Sequence, residues 1–425
     1  MVLDRQTSKK HLILKPKEAS PWDLFRILFF AGHVEKSVSI ECVRVKPKIV
    51  NQRVIIFISV IAQKALQSVA VPLSRLGSEL ETWLNLLSSN TNLCSLLLNL
   101  IRARDRRYYA VLCAMASKLS YENEAFTKAT VEDRWKFQGR DTTQALMLCD
   151  ENVDPKIIVV AFRGSEPFSM DAWCTDCDIS WLKFKGIGKV HGGFMKALGL
   201  QKNYRWPLKA EQNNHRLAYF FIREQLREIF QKNKEAKFLL TGHSMGGALA
   251  VLFPAVLAIH NEVEILERLE AVYTFGQPRV GDQKFGRFMK ELFSKYGVKY
   301  YRFVYSYDIV PRLPYDNSTL MFKHFGTCLY FNSVFEGKRI DEVPDKNYFS
   351  LRSFFSKRLT AAWELLRSFI IPYTNGPEYR ESSLLKVFRV FGLVFPGLSA
   401  HTLQDYVNAT RLASADLYSL DQECM

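Results

Sequence analysis

One serine lies in a pattern that suits it to act as a nucleophile, Gly242-His243-Ser244-Met245-Gly246. This segment follows the apolar run Phe238–Thr241 and precedes a helical run, Ala248–Ile259. Glycines two places to either side of a serine let the chain turn sharply from a strand into a helix, which lifts the hydroxyl clear of the sheet edge. The start of a helix also favours negative charge. The pattern therefore predicts that Ser244 attacks an acyl carbon. Gly242, His243 and Gly246 would form the turn.

A serine hydroxyl needs a base, and after such a turn the expected chain order is Ser, then Asp or Glu, then His. The predicted acid is Asp308, because it follows the apolar run Tyr300–Val304 and precedes a loop broken by prolines. Two histidines, His324 and His401, lie beyond it. His401 is in a loop that enters the last predicted helix, as a catalytic histidine should be. We therefore prefer His401 as the base and interpret His324 as structural.

The tetrahedral intermediate of acyl transfer needs hydrogen-bond donors for its oxyanion. One predicted donor is the backbone N–H of Met245, the residue after the nucleophile. The second is expected in a loop after an early strand, and Phe162-Arg-Gly-Ser165 follows the apolar run Ile157–Phe162. Ser165 could donate from its N–H and from its hydroxyl. No metal-binding cluster and no cofactor motif is indicated, so the chemistry is predicted to need neither.

From residue 108 onward, short apolar runs bounded by turn residues alternate with helical periodicity, which is typical of α/β architecture. We predict an α/β-hydrolase fold with a mainly parallel central sheet, whose strands include 157–162, 238–241, 271–275 and 300–304. A further edge strand is expected at 327–331. The carboxyl ends of parallel strands meet at one edge of a sheet, which is where ligands bind in such folds.

The chain has 425 residues, with 58 Lys and Arg against 43 Asp and Glu, and a formal net charge of +15. Such an excess favours a polyanionic partner. No zinc-finger spacing, aromatic RNA-binding motif or long basic block is present, so nucleic acid is not the expected partner and an anionic lipid surface is. The N-terminus lacks the apolar run of a secretory signal, which predicts a cytosol-facing protein that is not secreted.

Residues 1–105 differ from the rest, because they contain two short apolar runs, Leu24–Ala31 and Val54–Ala62. Neither run is long enough to span a bilayer. Each could lie in a lipid interface or pack in the core. We predict a lipid-associating N-terminal region over 1–105, a catalytic domain over 106–415 and a tail over 416–425.

The catalytic domain is predicted to carry an amphipathic insertion at about 349–395. One face of a helix at 351–370 is aromatic and aliphatic, while Arg352, Lys357, Arg358 and Arg367 lie elsewhere on it. This pattern fits either a helix on a lipid surface or a helix packed against the sheet.

Five motifs stand out along the chain: Val159-Val-Ala-Phe-Arg-Gly-Ser165, Val190-His-Gly-Gly-Phe194, Thr241-Gly-His-Ser-Met-Gly-Gly-Ala-Leu-Ala250, Thr274-Phe-Gly-Gln-Pro-Arg-Val-Gly-Asp282 and Asp308-Ile-Val-Pro311. Together they resemble the motifs of the class 3 lipases, the fungal-lipase-like branch of the α/β-hydrolases, and the resemblance extends over roughly residues 105–415. The segments Trp83-Leu-Asn85, Lys118-Leu-Ser-Tyr-Glu-Asn-Glu124 and His401-Thr-Leu-Gln-Asp-Tyr-Val-Asn408 add a similarity to plant oil-body lipases.

The resemblance implies a triacylglycerol lipase associated with lipid droplets or membranes, with Ser244, Asp308 and His401 as its triad and an oxyanion role for Ser165. It also implies a mobile lid at about 166–183. Two alternatives stay open. One is a phospholipase A1 or galactolipid acyl hydrolase, since relatives with the same triad use polar lipids, and the other is a lipid-surface protein without catalysis.

Overall fold

The structure is a computed structural model that describes residues 10–30, 37, 39–43, 53–65, 67–68, 105–122, 135–141, 145–150, 156–164, 178–200, 218–314, 316, 322–346, 348 and 353–418. Ser165 and the predicted lid up to residue 177 lie outside the described residues. Residues 178–183 of the predicted lid are described, and the last three of them belong to a strand, Trp181–Phe184.

The described chain contains fourteen strands and twelve α-helices. The strands are β1 Lys10–Leu14, β2 Ile40–Val43, β3 Trp135–Asp141, β4 Ala145–Asp150, β5 Ile157–Phe162, β6 Trp181–Phe184, β7 Gly188–His191, β8 Lys237–His243, β9 Leu269–Phe275, β10 Gly281–Asp282, β11 Lys299–Tyr305, β12 Phe322–Lys323, β13 Thr327–Phe331 and β14 Gly337–Ile340. The helices are α1 Pro21–Phe29, α2 53–65, α3 Tyr108–Leu119, α4 Gly192–Ala197, α5 Ala218–Lys232, α6 Met245–Ile259, α7 Val263–Leu266, α8 Gln283–Tyr296, α9 Phe354–Thr374, α10 Ser383–Gly392, α11 Pro396–Ser399 and α12 Leu403–Leu412.

The central sheet has eight strands in the order β14-β13-β11-β9-β8-β5-β4-β3. Its five middle strands, β13 to β5 in this order, are parallel, and the pairings at both edges are antiparallel. The α/β expectation is confirmed, and the sheet is mixed because its edge strands reverse direction. The predicted strands at 157–162, 238–241, 271–275, 300–304 and 327–331 all lie in it.

Both faces of the middle strands β5, β8 and β9 are buried, which explains why they are nearly continuous apolar runs rather than alternating ones. In β5, Ile158, Val160 and Phe162 pack in one core with α5, α6 and α8. Val159 and Ala161 point the other way and pack in a second core with α3 and α12. Helices on both faces leave the carboxyl edge of the parallel strands as the place for a site.

The N-terminal region contributes to a second, antiparallel sheet in the order β12-β10-β7-β6-β1-β2. Its first apolar run lies mainly in α1, where Ile27 is buried while Trp22 and Phe29 are exposed. The second run lies in α2, where Ile56 and Val60 pack in a small cluster with β1. Within the described residues, no helix has the length and apolarity needed to cross a membrane.

Candidate active site

The segment around Ser244 makes the sharp turn that the glycine spacing predicts. Ser244 follows β8 and precedes α6, with a positive φ of 58° and ψ of −130°. A Cβ on Gly242 would lie 2.3 Å from the Gly246 carbonyl carbon, and one on Gly246 would lie 2.1 Å from the Phe162 carbonyl oxygen. Only glycine fits at both positions, so the backbone strain at the serine is held by close packing on either side.

Ser244, His401 and Asp308 form one continuous chain of hydrogen bonds. The Ser244 hydroxyl donates to His401 Nε2 at 2.8 Å, and His401 Nδ1 donates to Asp308 Oδ2 at 2.7 Å. Ser244 comes from the elbow, Asp308 from the loop after β11, and His401 from the loop before α12. The Asp308 carboxylate is fully buried. This arrangement lets the imidazole take the hydroxyl proton while the carboxylate stabilises the resulting imidazolium.

The alternative histidine does not join this chain. His324 Nε2 lies 2.6 Å from the carbonyl oxygen of Pro311 and donates to it. Burial, together with Arg302 and Arg279 nearby, lowers the pKa of His324 well below its usual value. It is therefore a neutral histidine that ties the loop after Asp308 to the strand region before β13.

Tyr406 is a member of this site that the sequence interpretation did not single out. Its hydroxyl donates to Asp308 Oδ2 at 2.5 Å and accepts from the backbone N–H of Tyr305 at 3.2 Å. The backbone N–H of Val310 donates to the other carboxylate oxygen at 2.8 Å. Burial, and then the Asp308 charge, raises the pKa of Tyr406 well above its usual value, so the phenol keeps its proton. The sequence feature that could have identified Tyr406 is its position five residues after His401.

Tyr406→Phe is expected to lower kcat about tenfold, because Asp308 loses one of its donors and the charge-assisted hydrogen bond to it is worth ~1.5–3 kcal/mol. Steady-state kinetics on a soluble ester, with a thermal melt, separate this loss of turnover from a loss of stability. Unchanged kcat and KM would show that Tyr406 only fills space.

His243, predicted as part of the turn, also contacts His401. Its ring stacks on His401 at 4.5 Å between centroids, and Nε2 donates to the His401 carbonyl oxygen at 3.0 Å. Nδ1 accepts from the Tyr121 hydroxyl at 3.1 Å. Burial, and then the neighbouring His401, lowers the pKa of His243 well below its usual value. A neutral His243 therefore holds the His401 backbone without adding a second charge beside it.

Gly276 lies beneath the contact between His401 and Asp308. It has a φ of +59°, and a Cβ there would lie 2.9 Å from His401 Cε1 and 3.0 Å from Asp308 Oδ2. Gly276→Ala is expected to lower kcat/KM by about 10², because a displacement on the order of 1 Å at the reacting groups costs that much. The measurement is hydrolysis of a soluble ester, alongside a thermal melt.

Gly297→Ala is the matched control. Gly297 ends α8 with a φ of +66°, and no described heavy atom lies within 4 Å of the position of its Cβ. This variant should lose about 1 kcal/mol of stability from the left-handed backbone and keep its turnover. If Gly276→Ala retains activity as well as Gly297→Ala does, the glycine is required only by its backbone conformation.

Of the two predicted oxyanion donors, Met245 lies among the described residues and Ser165 does not. Met245 is the first residue of α6, directly after Ser244, where the N–H groups of the first turn point out of the helix. Ser165 lies outside the described residues. Its neighbour Gly164 is packed against Ser244, since a Cβ on Gly164 would lie 2.4 Å from the His243 carbonyl oxygen and 3.1 Å from Ser244 Cβ. The loop after β5 therefore reaches Ser244.

Comparisons with known proteins agree with the motifs. The family model of class 3 lipases matches residues 159–318. The triacylglycerol lipase OBL1 of Nicotiana tabacum is 35% identical over 86% of this chain and 84% of its own length. The protein of the same name from Arabidopsis thaliana is 33% identical over 95% of this chain and 94% of its own. Among solved structures, a Rhizomucor miehei lipase propeptide complex is 26% identical, covers 53% of this chain and 66% of its own, and has a TM-score of 0.40.

The resemblance predicted from the motifs is thus confirmed over most of the chain. The two plant relatives exceed 30% identity, and both align with more than four-fifths of it. The protein belongs to the class 3 lipase family.

Proposed function

We propose that this protein hydrolyses the ester bonds of long-chain triacylglycerols at a lipid–water interface, with Ser244 as the nucleophile. The observation that carries the proposal is the hydrogen-bond chain from Ser244 Oγ through the His401 ring to Asp308 Oδ2. The names of the tobacco and Arabidopsis relatives support triacylglycerol as the substrate class.

In the proposed reaction, Ser244 Oγ bonds to the ester carbonyl carbon while its proton passes to His401 Nε2. The carbonyl electron pair moves to oxygen and forms an oxyanion. Collapse of this intermediate breaks the bond to the glycerol oxygen, which takes the proton from His401 and leaves as diacylglycerol. His401 then deprotonates a water molecule, whose oxygen bonds to the acyl carbon. Breaking of the bond between that carbon and Ser244 Oγ releases the fatty acid, and Oγ takes the proton back from His401.

The oxyanion is proposed to accept hydrogen bonds from the backbone N–H of Met245 and from Ser165. The position of Met245 at the start of α6 supports the first assignment. Gly164, packed against Ser244, supports the second, because Ser165 is the next residue along the chain. Loss of one such donor typically costs ~10² to 10³ in rate.

The experiment is fatty-acid release by purified full-length protein and its Ser244→Ala variant from three substrates. These are emulsified long-chain triacylglycerol, phosphatidylcholine vesicles and dispersed galactolipid. Release mainly from the emulsion, and its loss in the variant, is the expected result. Release mainly from vesicles or galactolipid would move the assignment to a phospholipase A1 or galactolipid acyl hydrolase. No release from any substrate would favour a lipid-binding protein without catalysis.

We further propose that the protein acts on the cytosol-facing surface of lipid droplets or membranes, with residues 1–105 as a lipid-associating region and 106–415 as the catalytic domain. The exposed aromatic residues Trp22, Phe25 and Phe29 on α1 support the first part. Flotation of the full-length protein with isolated droplets tests it. Recovery in the soluble fraction alone would contradict it.

A further inference from the structure

Helices α9 and α10 present their apolar side chains to solvent and their charged side chains to the protein. On α9, Phe355 is 76% exposed, Leu359 72% and Tyr373 90%. Its Lys357, Glu364, Arg367 and Ser368 are buried. This is the reverse of a globular surface helix, in which the apolar stripe faces the core. The predicted amphipathic segment could lie on a lipid surface or pack against the sheet. In the structure its apolar face points to solvent.

The outward apolar side chains continue from α9 onto α10 and the residues after it. Lys386 of α10 lies over the ring of Phe369 of α9, with Nζ 4.5 Å from its centroid. The exposed members, which we call the α9–α10 face, are Phe354, Phe355, Leu359, Trp363, Leu366, Phe369, Ile370, Tyr373, Val387, Phe388, Val390, Phe391, Leu393, Val394 and Phe395. Soluble proteins rarely expose an apolar patch of this extent unless it binds something.

A buried ion cluster under the face explains this orientation. Arg389 of α10 donates to Asp405 at 2.8 Å and to Glu381 at 2.9 Å, and Arg367 of α9 donates to Asp405 at 2.8 Å. Although burial by itself lowers the pKa of Arg389, Asp405 and Glu381 raise it well above its usual value. Rotating either helix to bury its apolar side would separate these charges, which is strongly unfavourable in a low-dielectric interior. The face is therefore held outward by internal contacts.

The same cluster connects the face to the candidate active site. Asp405 lies on α12 next to Tyr406, which donates to the acid of the triad, and Thr402 between His401 and α12 donates to Asp405 at 2.8 Å. From the other side, α10 continues through Phe395 into α11 and then His401. The α9–α10 face is therefore separated from His401 along the chain only by the short helix α11.

Charge on the face selects a lipid surface over a second copy of the chain. Within α9 the one acidic residue is Glu364, which is buried, and α10 has none. The cations Arg358 and Lys386 are half-buried and lie on Phe rings, Arg358 at 3.7 Å from the Phe354 centroid. A two-fold contact between two such faces would oppose like charges, whereas apolar side chains flanked by cations suit acyl chains below anionic head groups.

We propose that the α9–α10 face is the surface with which this lipase docks on an anionic phospholipid monolayer, its aromatic and aliphatic side chains inserting among the acyl chains. This inference rests on the proposed function in one respect, which is that the lipid body is a triacylglycerol droplet. Docking on this face holds the catalytic domain at the lipid surface, with α10 joined to His401 through α11.

The test uses full-length protein and artificial triolein droplets coated with phosphatidylcholine and about 20 mol% phosphatidylserine. The test variant carries Leu359→Gln, Leu366→Gln, Val387→Gln and Val394→Gln, all at well-exposed positions. It is expected to lose droplet binding in flotation about 100-fold, because each inserted aliphatic side chain contributes to partitioning. Hydrolysis of a water-soluble butyrate ester should stay within threefold of wild type, which shows an intact fold and triad.

A comparison variant carries Trp22→Gln, Phe25→Gln, Phe29→Gln and Phe30→Gln, which are also exposed positions, on and next to α1. Full binding by the α9–α10 variant would overturn the proposal, and loss of binding by the α1 variant alone would place attachment at the N-terminus. Equal binding to droplets with and without phosphatidylserine would overturn the anionic component. If the α9–α10 variant binds droplets normally and differs from wild type only in the oligomeric mass of the lipid-free protein, the face is a contact between copies and the proposal is overturned. Flotation does not depend on catalysis, so inactivity of wild type on all esters would reject the proposed function and leave docking measurable.

Discussion

Ser244→Ala is expected to lower turnover of emulsified triacylglycerol by about 10⁵ to 10⁶. The hydroxyl that donates to His401 at 2.8 Å is then absent, and no acyl-enzyme can form. His401 and Asp308 cannot compensate, because a triad acts as a unit and loses nearly all its effect with its nucleophile. The measurement is fatty-acid release under substrate excess, with droplet binding measured in parallel.

Ser117→Ala is a suitable control for this experiment. Ser117 is also buried, and its hydroxyl is 3.0 Å from that of Thr241 in β8, the strand that leads to Ser244. Its loss should reduce stability by about 1 kcal/mol and leave turnover almost unchanged. Residual activity of Ser244→Ala above about 1% of wild type would contradict the nucleophile assignment, provided that the preparation is free of other esterases.

Asp308→Asn is expected to lower kcat by about 10⁴ with little change in substrate binding. One carboxylate oxygen accepts from the Val310 N–H and the other from His401 Nδ1 and the Tyr406 hydroxyl. An asparagine whose oxygen accepts from Val310 turns its NH₂ group toward His401. Nδ1 must then accept, which puts the proton on Nε2, where it faces the serine hydroxyl. The imidazole in that tautomer cannot take the serine proton.

Asp282→Asn provides the comparison for the amide substitution. Asp282 precedes α8 and accepts from the Phe285 N–H at 2.9 Å, a helix-capping role that asparagine fills about as well. Kinetics of both variants on one soluble ester, with thermal melts, separate a tautomer effect from a folding effect. An Asp308→Asn enzyme within tenfold of wild type would remove Asp308 from the proposed mechanism.

Local sequence predicts those parts of this site whose conformation depends on neighbouring residues. The elbow at Ser244 needs glycines at fixed offsets because Gly242 and Gly246 touch backbone atoms with no room for a Cβ. The middle strands are recognisable because both faces of the sheet are covered, which requires uninterrupted apolar runs such as Ile157–Phe162. The elbow and the strands depend on residues within a few positions of one another. The predicted acid after β11 follows in addition from the chain order Ser, acid, His.

Other features depend on contacts between distant parts of the chain. His401 is hydrogen-bonded to Asp308 across 93 residues, whereas the nearer His324 donates to the Pro311 carbonyl oxygen. The positions of the two histidines in the sequence favoured His401 but did not exclude His324. Tyr406 and Gly276 acquire their roles from the same convergence.

Helical periodicity likewise identified the apolar face of the segment at 351–370 but could not orient it. The direction is set by pairing of Arg367 and Arg389 with Asp405, which lies on another helix. The sequence by itself therefore determined the nucleophile turn, the α/β strands and the two faces of α9. Only the tertiary structure decided which histidine meets the acid and which face meets solvent, because periodicity is a property of neighbouring residues and pairing across the fold depends on how the whole chain packs.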